Sequence, residues 1–412
     1  MADTKTALQQ PIAREHIGTY AARKVLFLAQ LPPPLHGASA MSQRAHDSMS
    51  ARGDLDLTHL WLGSAASNQD VGQRSLGKLL AFLRFVVMLL WQVVRRQRYA
   101  IGYLTFAPFA HAALRDGILI ALSKLLARRT IVHLHALGIS AVMTGTAMPQ
   151  RILRRCIRGV ELITLTTKDA AAMQATGHFK AVHLLPNGIE DPGEPPFSAT
   201  ATLRCGYLAN LDPRKGVLRF LDCMGALRQA GLPVTGRIAG DETAYLTRFE
   251  LAAEVQRRGL AGVVEVLGPL YGDAKTCFFA ATDLFVYLSA HDYSPLVVIE
   301  AMAGGAVPIV FDVEGQRELL GQPFAANVLA PDLTAAELSG AVTDIVRRYH
   351  DDRARLMHDR TAARARYLSS YTTATFHDGL NAILNARGSR RRGGRENGLS
   401  VPANGSQSHG RR

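Results

Sequence analysis

Cysteine is scarce in this chain. Four occur in 412 residues, Cys156, Cys205, Cys223 and Cys277, and no two form a CxxC pair. That spacing excludes a thiol-pair redox motif and a disulfide framework, and reads as buried thiols in a reducing compartment. The first twenty residues, "MADTKTALQQPIAREHIGTY", lack the apolar core of an export signal, so a cytoplasmic protein is expected. Long apolar runs are also lacking. The most apolar stretch, "KLLAFLRFVVMLLWQVVRRQR" (78–98), is interrupted by Arg84. Only residues 85–94 run uncharged, with the polar Gln92 among them, too short to cross a bilayer. Two readings fit it: a helix lying in a membrane interface and a helix buried in the first domain.

What is present is an ordinary globular composition, 48% hydrophobic and 20% charged, over a length that one core does not serve, so two domains are expected. The net charge is +13, and the last 26 residues hold seven arginines and one glutamate. This tail, 388–412 beyond Arg387, has no apolar periodicity and is expected to be disordered. It reads as a solvated terminus, with an anionic membrane or nucleic acid as its other conceivable contact and no specific nucleic acid expected.

Along the chain, strand-like runs alternate with helical ones. "RKVLFLAQLPPPLHGASAMSQ" (23–43) reads as strand, loop and helix; strands follow at 97–106, 129–136 and 161–167, with a helix at 115–126. After the Pro- and Gly-rich "PNGIEDPGEPPFS" (186–198) a second series begins, with strands at 203–209, 234–240, 263–268, 283–289 and 306–311. Alternation of this kind predicts parallel sheets of Rossmann type, here two α/β halves of about 180 residues each.

The stretch "HDYSPLVVIE" (291–300) carries most of the chemistry. Ser294 suits an N-cap and Pro295 the first helical position, with the helix running to Ala303 and stopping at Gly304-Gly305. Its free N–H groups would point out of the carboxyl end of the strand at 283–289, where open α/β sheets bind ligands and where a phosphate is favoured. Glu300, beyond four apolar residues, needs something to satisfy it, and a ribose diol would. Asp292 would face a second set of hydroxyls. One solvated acid and one loop acid is the plainer alternative. In "LDPRKGVLRFLD" (211–222), Lys215 before Gly216 can grip a diphosphate or be a turn lysine. "GRIAGDE" ends a strand at Gly240-Asp241, "PNGI" marks the junction of the halves, and Gly37 in "PPPLHGAS" would let backbone approach a ligand.

In this order, on strand ends, these motifs resemble a family: the retaining glycosyltransferases of family 4, with the GT-B architecture of two Rossmann-like domains facing a cleft. The resemblance spans about residues 22–385 and is strongest in "LFVYLSAHDYSPLVVIEAMAGGAVPIVF", which is similar to the family's E-x7-E region. It implies an acceptor domain at 22–192, a nucleotide-sugar domain at 200–365 and a helix at 366–386 crossing back to the first domain. Glu300 then matches the ribose-binding glutamate, and Asp292 stands where a glutamate usually contacts the donor sugar. Lys215 matches the lysine on the diphosphate, while Asn210 stands where an arginine often accompanies it, so one phosphate cation is missing. His135, in "IVHLHALG", matches a histidine near the donor's anomeric centre; a core histidine is the other reading for it and for His133. The implied set is His135, Lys215 and Asp292 for catalysis, with Gly37, Asn210, Gly240, Ser294, Pro295, Leu296 and Glu300 joining Lys215 and Asp292 around the donor.

The implied activity is hexosyl transfer from a nucleotide-diphosphate sugar with retention, by front-face attack, without cofactor or metal. "DLD" at 54–56 mimics a metal motif but falls outside the donor half. "PPPLHGAS" and "HLHALG" resemble members that build bacterial surface polysaccharides, which implies a glycan or lipid-linked acceptor and a peripheral place on the inner membrane face. Two alternatives stay open: a sugar-nucleotide epimerase of the same fold, and a non-catalytic protein that binds nucleic acid or membrane through its tail.

Overall fold

The computed structural model of the protein describes residues 22–33, 35–60, 76–108, 110–196, 201–313 and 315–386. The tail at 388–412 lies outside the described residues. Strands and helices alternate almost throughout. The first half runs β1 (Arg23–Leu28), α1 (Gly37–Ser50), β2 (Leu55–His59), α2 (Leu76–Val94), β3 (Tyr99–Phe106), α3 (Ala110–Leu126), β4 (Ala127–Leu134), α4 (Ile139–Thr144), α5 (Met148–Ile157), β5 (Glu161–Thr164), α6 (Thr167–Ala175) and β6 (Ala181–Leu184). The second runs β7 (Leu203–Leu208), α7 (Val217–Gln229), β8 (Val234–Ala239), α8 (Arg248–Arg257), β9 (Val264–Gly268), α9 (Gly272–Ala280), β10 (Leu284–Tyr287), α10 (Leu296–Ala303), β11 (Val307–Phe311), α11 (Gln316–Leu320), β12 (Val328–Leu329), α12 (Ala335–Asp351), α13 (Arg353–Ser370) and α14 (Thr373–Asn385).

Each half forms a six-stranded parallel sheet, ordered β2-β1-β3-β4-β5-β6 in the first and β12-β11-β10-β7-β8-β9 in the second. Parallel strands are covered on both faces, so their sequences read as unbroken apolar runs; all four residues of β10 and all five of β11 are buried. Side chains alternate between the faces. Val25 and Phe27 of β1 join Tyr103, Ile131, Met41 and Ala45 on one side, while Leu26 and Leu28 join Leu104, Val132, Phe85 and Leu119 on the other. The order of connection reverses between β1 and β3 in the first sheet and between β7 and β10 in the second. Ligands bind beyond the carboxyl ends of strands at such reversals, which selects the loops after β1, β3, β7 and β10.

The chain returns to its first half at the end. α13 packs on α10 and β11 of the second domain, anchored by the fully buried Arg360, which donates to Gly305 O (3.0 Å) and Asp283 Oδ1 (2.6 Å). The helix that crosses is therefore α14 alone, and residues 366–370, placed by the sequence in the crossover, belong to α13. Ile189 N donates to Tyr371 O and Thr373 N to Ile189 O, both at 2.8 Å, fixing the crossing point. α14 then buries Phe376, Leu380, Ile383 and Leu384 in the first domain's core. Arg129 closes its far end, donating to Leu384 O and Ile383 O while holding Glu161 at 2.8–2.9 Å. A cation on the last carbonyls also suits the helix dipole.

Candidate active site

The two loops at the second sheet's reversal meet through one ion pair. Lys215 Nζ donates to Asp292 Oδ1 at 2.6 Å. Tyr287 Oη and Ser289 Oγ donate to Asp292 Oδ2 at 2.5 and 2.7 Å. Burial would push the Asp292 carboxyl up, but Lys215, Tyr287 and Ser289 outweigh it and hold the group below its ordinary value. The loops approach this closely because Gly216 has φ +94°, and a Cβ there would lie 2.5 Å from Leu288 O. Gly216→Ala is accordingly expected to destabilise the protein by roughly 1–3 kcal/mol, the range for a strained backbone position, read as a lowered thermal midpoint; an unchanged midpoint would refute the close approach. Gly240 is similarly forced, since its Cβ would fall 1.7 Å from Ala209 O. It shapes the turn beside Asn210, whose side chain is half-exposed. Arg214, next to Lys215, is turned away onto Asp212 and over Tyr245.

α10 starts one residue later than its sequence suggests. Pro295 is the N-cap, with no side-chain cap, and Leu296 is the first helical residue. Ser294 is not the cap: it takes φ +50°, is buried, and its carbonyl accepts from Asn187 Nδ2 at 2.9 Å. Among the described residues no side chain bonds the helix's leading N–H groups, which are the orphan donors of any helix start. The helix ends at Ala303 before Gly304, as its spacing predicts. Glu300, on the same helix, is half-buried and held by Lys275 of α9, with Nζ 2.8 Å from Oε1 and 2.7 Å from Oε2. Nothing in the sequence linked Lys275 to Glu300; the contact follows from the packing of α9 on α10.

The first domain faces this end of α10. Leu296 packs against the cluster that contains Met41 and Phe376. Tyr293 crosses between the domains, donating to Asp169 Oδ2 at 2.5 Å and accepting from Leu165 N at 3.3 Å. Arg44 of α1 feels the charges of Glu300 and Glu190, while burial lowers its pKa. His135 follows β4, with its ring 4.0 Å from that of His133. The two differ in surroundings. His133 is fully buried and bonded to Tyr103 Oη at 2.6 Å, a core residue. His135 is half-buried, and its buried Nε2, like that of His133, has no partner among the described residues. Burial and the neighbouring His36 lower its pKa to about 3, so it presents a neutral imidazole. His36 caps α1 through Ser39, with Gly37 next to it and open space where a Gly37 Cβ would point. His36 lay in a stretch singled out only for its glycine.

Among the described residues, no group of three or more His, Cys, Asp or Glu side chains is placed to hold a metal ion. Asp54 of the "DLD" stretch is paired with Arg23 and Arg52.

Thus an uncapped helix start, a lysine on a short loop and two acids converge at a sheet reversal, opposite a neutral histidine. Comparison with known proteins bears on the fold. Residues 200–362 match the family described as glycosyl transferases group 1. The chain has the GT-B fold. Among solved GT-B structures, sucrose-phosphate synthase from Thermosynechococcus elongatus superposes with a TM-score of 0.66 at 16% identity, covering 88% of this chain and 98% of that one. HepE of Anabaena, in complex with UDP and glucose, gives 0.63 at 19%, covering 89% and 100%. TarM of S. aureus, in complex with UDP and alpha-GlcNAc-glycerol among others, gives 0.56 at 12%; the match takes in 73% of this chain, which spans 59% of TarM. No curated protein sequence matches the chain at a significant level.

Proposed function

We propose that the protein transfers a hexosyl group from a nucleotide-diphosphate sugar to a glycan or lipid-linked glycan, with retention at the anomeric carbon. The observation that carries this reading is the Lys215–Asp292 pair at the β7/β10 reversal, beside the uncapped start of α10. The diphosphate of a donor would be drawn to Lys215 and to the N–H groups of Leu296 and Val297. Lys215 then leaves Asp292 Oδ1 free for a sugar hydroxyl, while Tyr287 and Ser289 keep the carboxylate in place through Oδ2. Glu300 accepts the ribose hydroxyls in exchange for Lys275. His135, neutral and with an unpartnered Nε2, offers a hydrogen bond to the sugar. No carboxylate stands as nucleophile in this scheme. The leaving diphosphate accepts the acceptor's proton on the attacked face, and the protein's share is positioning and stabilisation of departing charge. Lys215 and the helix start supply that charge, so we infer that no divalent metal is required. Free thiols at all four cysteines support a cytoplasmic setting, and the finer assignment to surface-polysaccharide assembly belongs to this proposal.

The test is donor turnover with and without a crude lipid-glycan acceptor, in the presence of a chelator. Acceptor-dependent release of nucleoside diphosphate supports transfer; acceptor-independent isomerisation of the donor would point to an epimerase, and no turnover with any of the UDP-, GDP-, ADP- or dTDP-sugars would leave a binding protein. A second expectation concerns the ribose. Glu300→Ala should weaken binding of the free nucleoside diphosphate by about 1.5–3 kcal/mol, the value of hydrogen bonds to a charged group, with a smaller fall in the thermal midpoint of the unliganded protein from the loss of the half-buried Lys275 pair. Equal calorimetric affinity for wild type and variant would remove Glu300 from the site.

A further inference from the structure

Sugar transfer leaves the outer helical face of the first domain unexplained. α2 is apolar on two opposite faces, with Arg84 and Gln92 between them. Phe85 and Leu89 are buried against the domain, whereas Leu80, Leu83, Val87, Trp91 and Val94 form a stripe on the opposite side, 65% exposed at Leu80 and 71% at Val94. A surface helix ordinarily carries one apolar stripe, facing the core, so the second stripe of α2 is unaccounted for by the fold. α2 packs on α3 and α3 on α5, and both neighbours expose apolar side chains of their own. Leu125 of α3 and Met148 and Ile152 of α5 are exposed. A cavity of about 310 Å³ opens between α3 and α5, lined in part by Leu114, Val142, Ile152 and Leu153.

The charge around this surface has one sign. Residues 76–98 and 140–160 contain no aspartate or glutamate. Arg84, Arg95 and Arg96 border the stripe, with Arg95 stacked over Trp91 at 4.9 Å. Beside α5 a second hollow is lined by Arg151, Arg155 and Arg158. Lys124 and Arg154 in the same hollow are occupied with backbone carbonyls, but the side chains of Arg151, Arg155 and Arg158 have no partner among the described residues. No part of the chain outside the described residues offers an acidic complement. Residues 1–21 carry two acids against two bases, residues 61–75 one against one, and the tail is strongly basic. A second copy would set these arginines against each other.

An apolar stripe with a tryptophan, rimmed by arginines and free of acids, matches the interface of a negatively charged bilayer. We propose that the α2–α3–α5 face seats the protein on an anionic bilayer, with the stripe at the boundary of headgroups and acyl chains and the arginines on lipid phosphates. α2 lies flat in this arrangement; no described helix is long and apolar enough to cross a membrane. The cavity reaches Pro108 and Gly138, the loops after β3 and β4, so the bilayer comes close to the reaction cleft. Nothing in this docking depends on the sugar-transfer reading, and its test needs no donor.

The experiment is cosedimentation of the full chain with vesicles of phosphatidylcholine alone or mixed with phosphatidylglycerol. The wild type should pellet with the mixed vesicles, less so as salt rises, and stay in solution with the neutral ones. Arg151→Gln, Arg155→Gln and Arg158→Gln together should lower partitioning on the order of 100-fold, at about fivefold per charge, with the thermal midpoint unchanged because these side chains make no internal bonds. Val87→Asp with Trp91→Asp should release the protein as well. In a Trp61→Phe background the emission of Trp91 should shift to the blue on adding mixed vesicles, which reports docking with α2, α3 and α5 unsubstituted. The proposal is overturned by a wild type that stays in solution at low salt, by equal binding to neutral vesicles, by a triple variant that pellets like wild type, or by a dimer that Val87→Asp and Trp91→Asp dissociate.

Discussion

Lys215→Ala is expected to lower kcat by roughly 100- to 1,000-fold, the loss seen when one preorganised donor to developing negative charge is removed. The donor's dissociation constant should change much less. In the ground state the diphosphate charge is spread and solvated, while in the transition state it builds on the leaving oxygen, so a fixed cation acts mainly on the rate. The site makes this lysine hard to replace. Asn210 carries no charge, and Arg214 is committed to Asp212 and Tyr245. The fold should survive, because Tyr287 and Ser289 still hold Asp292 and Gly216 still closes the loop. Removal of Lys215 does take away the main influence that holds the Asp292 carboxyl down against burial. Its pKa should therefore rise in the variant. Residual activity should then fall off at a higher pH on the acid side than in wild type, since the ionised form persists only above that pKa. Steady-state rates against pH for both proteins check the two expectations together. If only KM moves and kcat stays at the wild-type value, Lys215 is a ground-state contact and not part of leaving-group stabilisation.

Much of this site was legible because its parts are local. A strand end, a short loop and a helix start follow each other within a few residues at 203–217, where the loop carries Gly216, and at 284–296, where it carries Ser294 and Pro295. The sheets were legible for the same reason where strands are central. β2, β6 and β12 are not marked in the sequence: they are three of the four edge strands of the two sheets, partly exposed, so they lack the unbroken apolar run that burial on both faces imposes, whereas the fourth, β9, is marked by its valines. The helix start at 294–296 was misplaced by one residue because Ser294 serves a different bond, its carbonyl meeting Asn187 from the other domain. Lys275 on Glu300, His36 beside His135, and Tyr293 on Asp169 join residues 25 to 124 positions apart or on different elements. No local spacing encodes them. The apolar segment at 78–98 shows the opposite limit: its sequence allowed a buried or an interfacial helix, and the structure gives one buried face and one exposed face.

The crossing helix is expected to decide whether the first domain folds. A chain stopped after Ser370 lacks α14 and with it Phe376, Leu380, Ile383 and Leu384, none more than 6% exposed. At about 1.5–3 kcal/mol for each large apolar side chain buried, the loss is on the order of 6–12 kcal/mol, as large as the whole stability of a typical domain. Their removal also uncovers Val25, Phe27, Tyr103 and Ile131 on one face of the first sheet and leaves Arg129 with only Glu161. The second domain keeps α13 and the Arg360–Asp283 anchor, so it should remain folded while the first becomes molten or aggregates. A chain stopped after Arg387 retains α14 and should match the full protein in thermal midpoint and in sugar transfer to a soluble acceptor. Leu380→Ala is the milder version, expected to cost about 2–5 kcal/mol as other buried leucine truncations do, and to lower the midpoint without abolishing folding. Size-exclusion chromatography and thermal melts of the three proteins test this. A monomer stopped after Ser370 that melts like the full chain would mean that α14 only covers the first domain and does not hold it together.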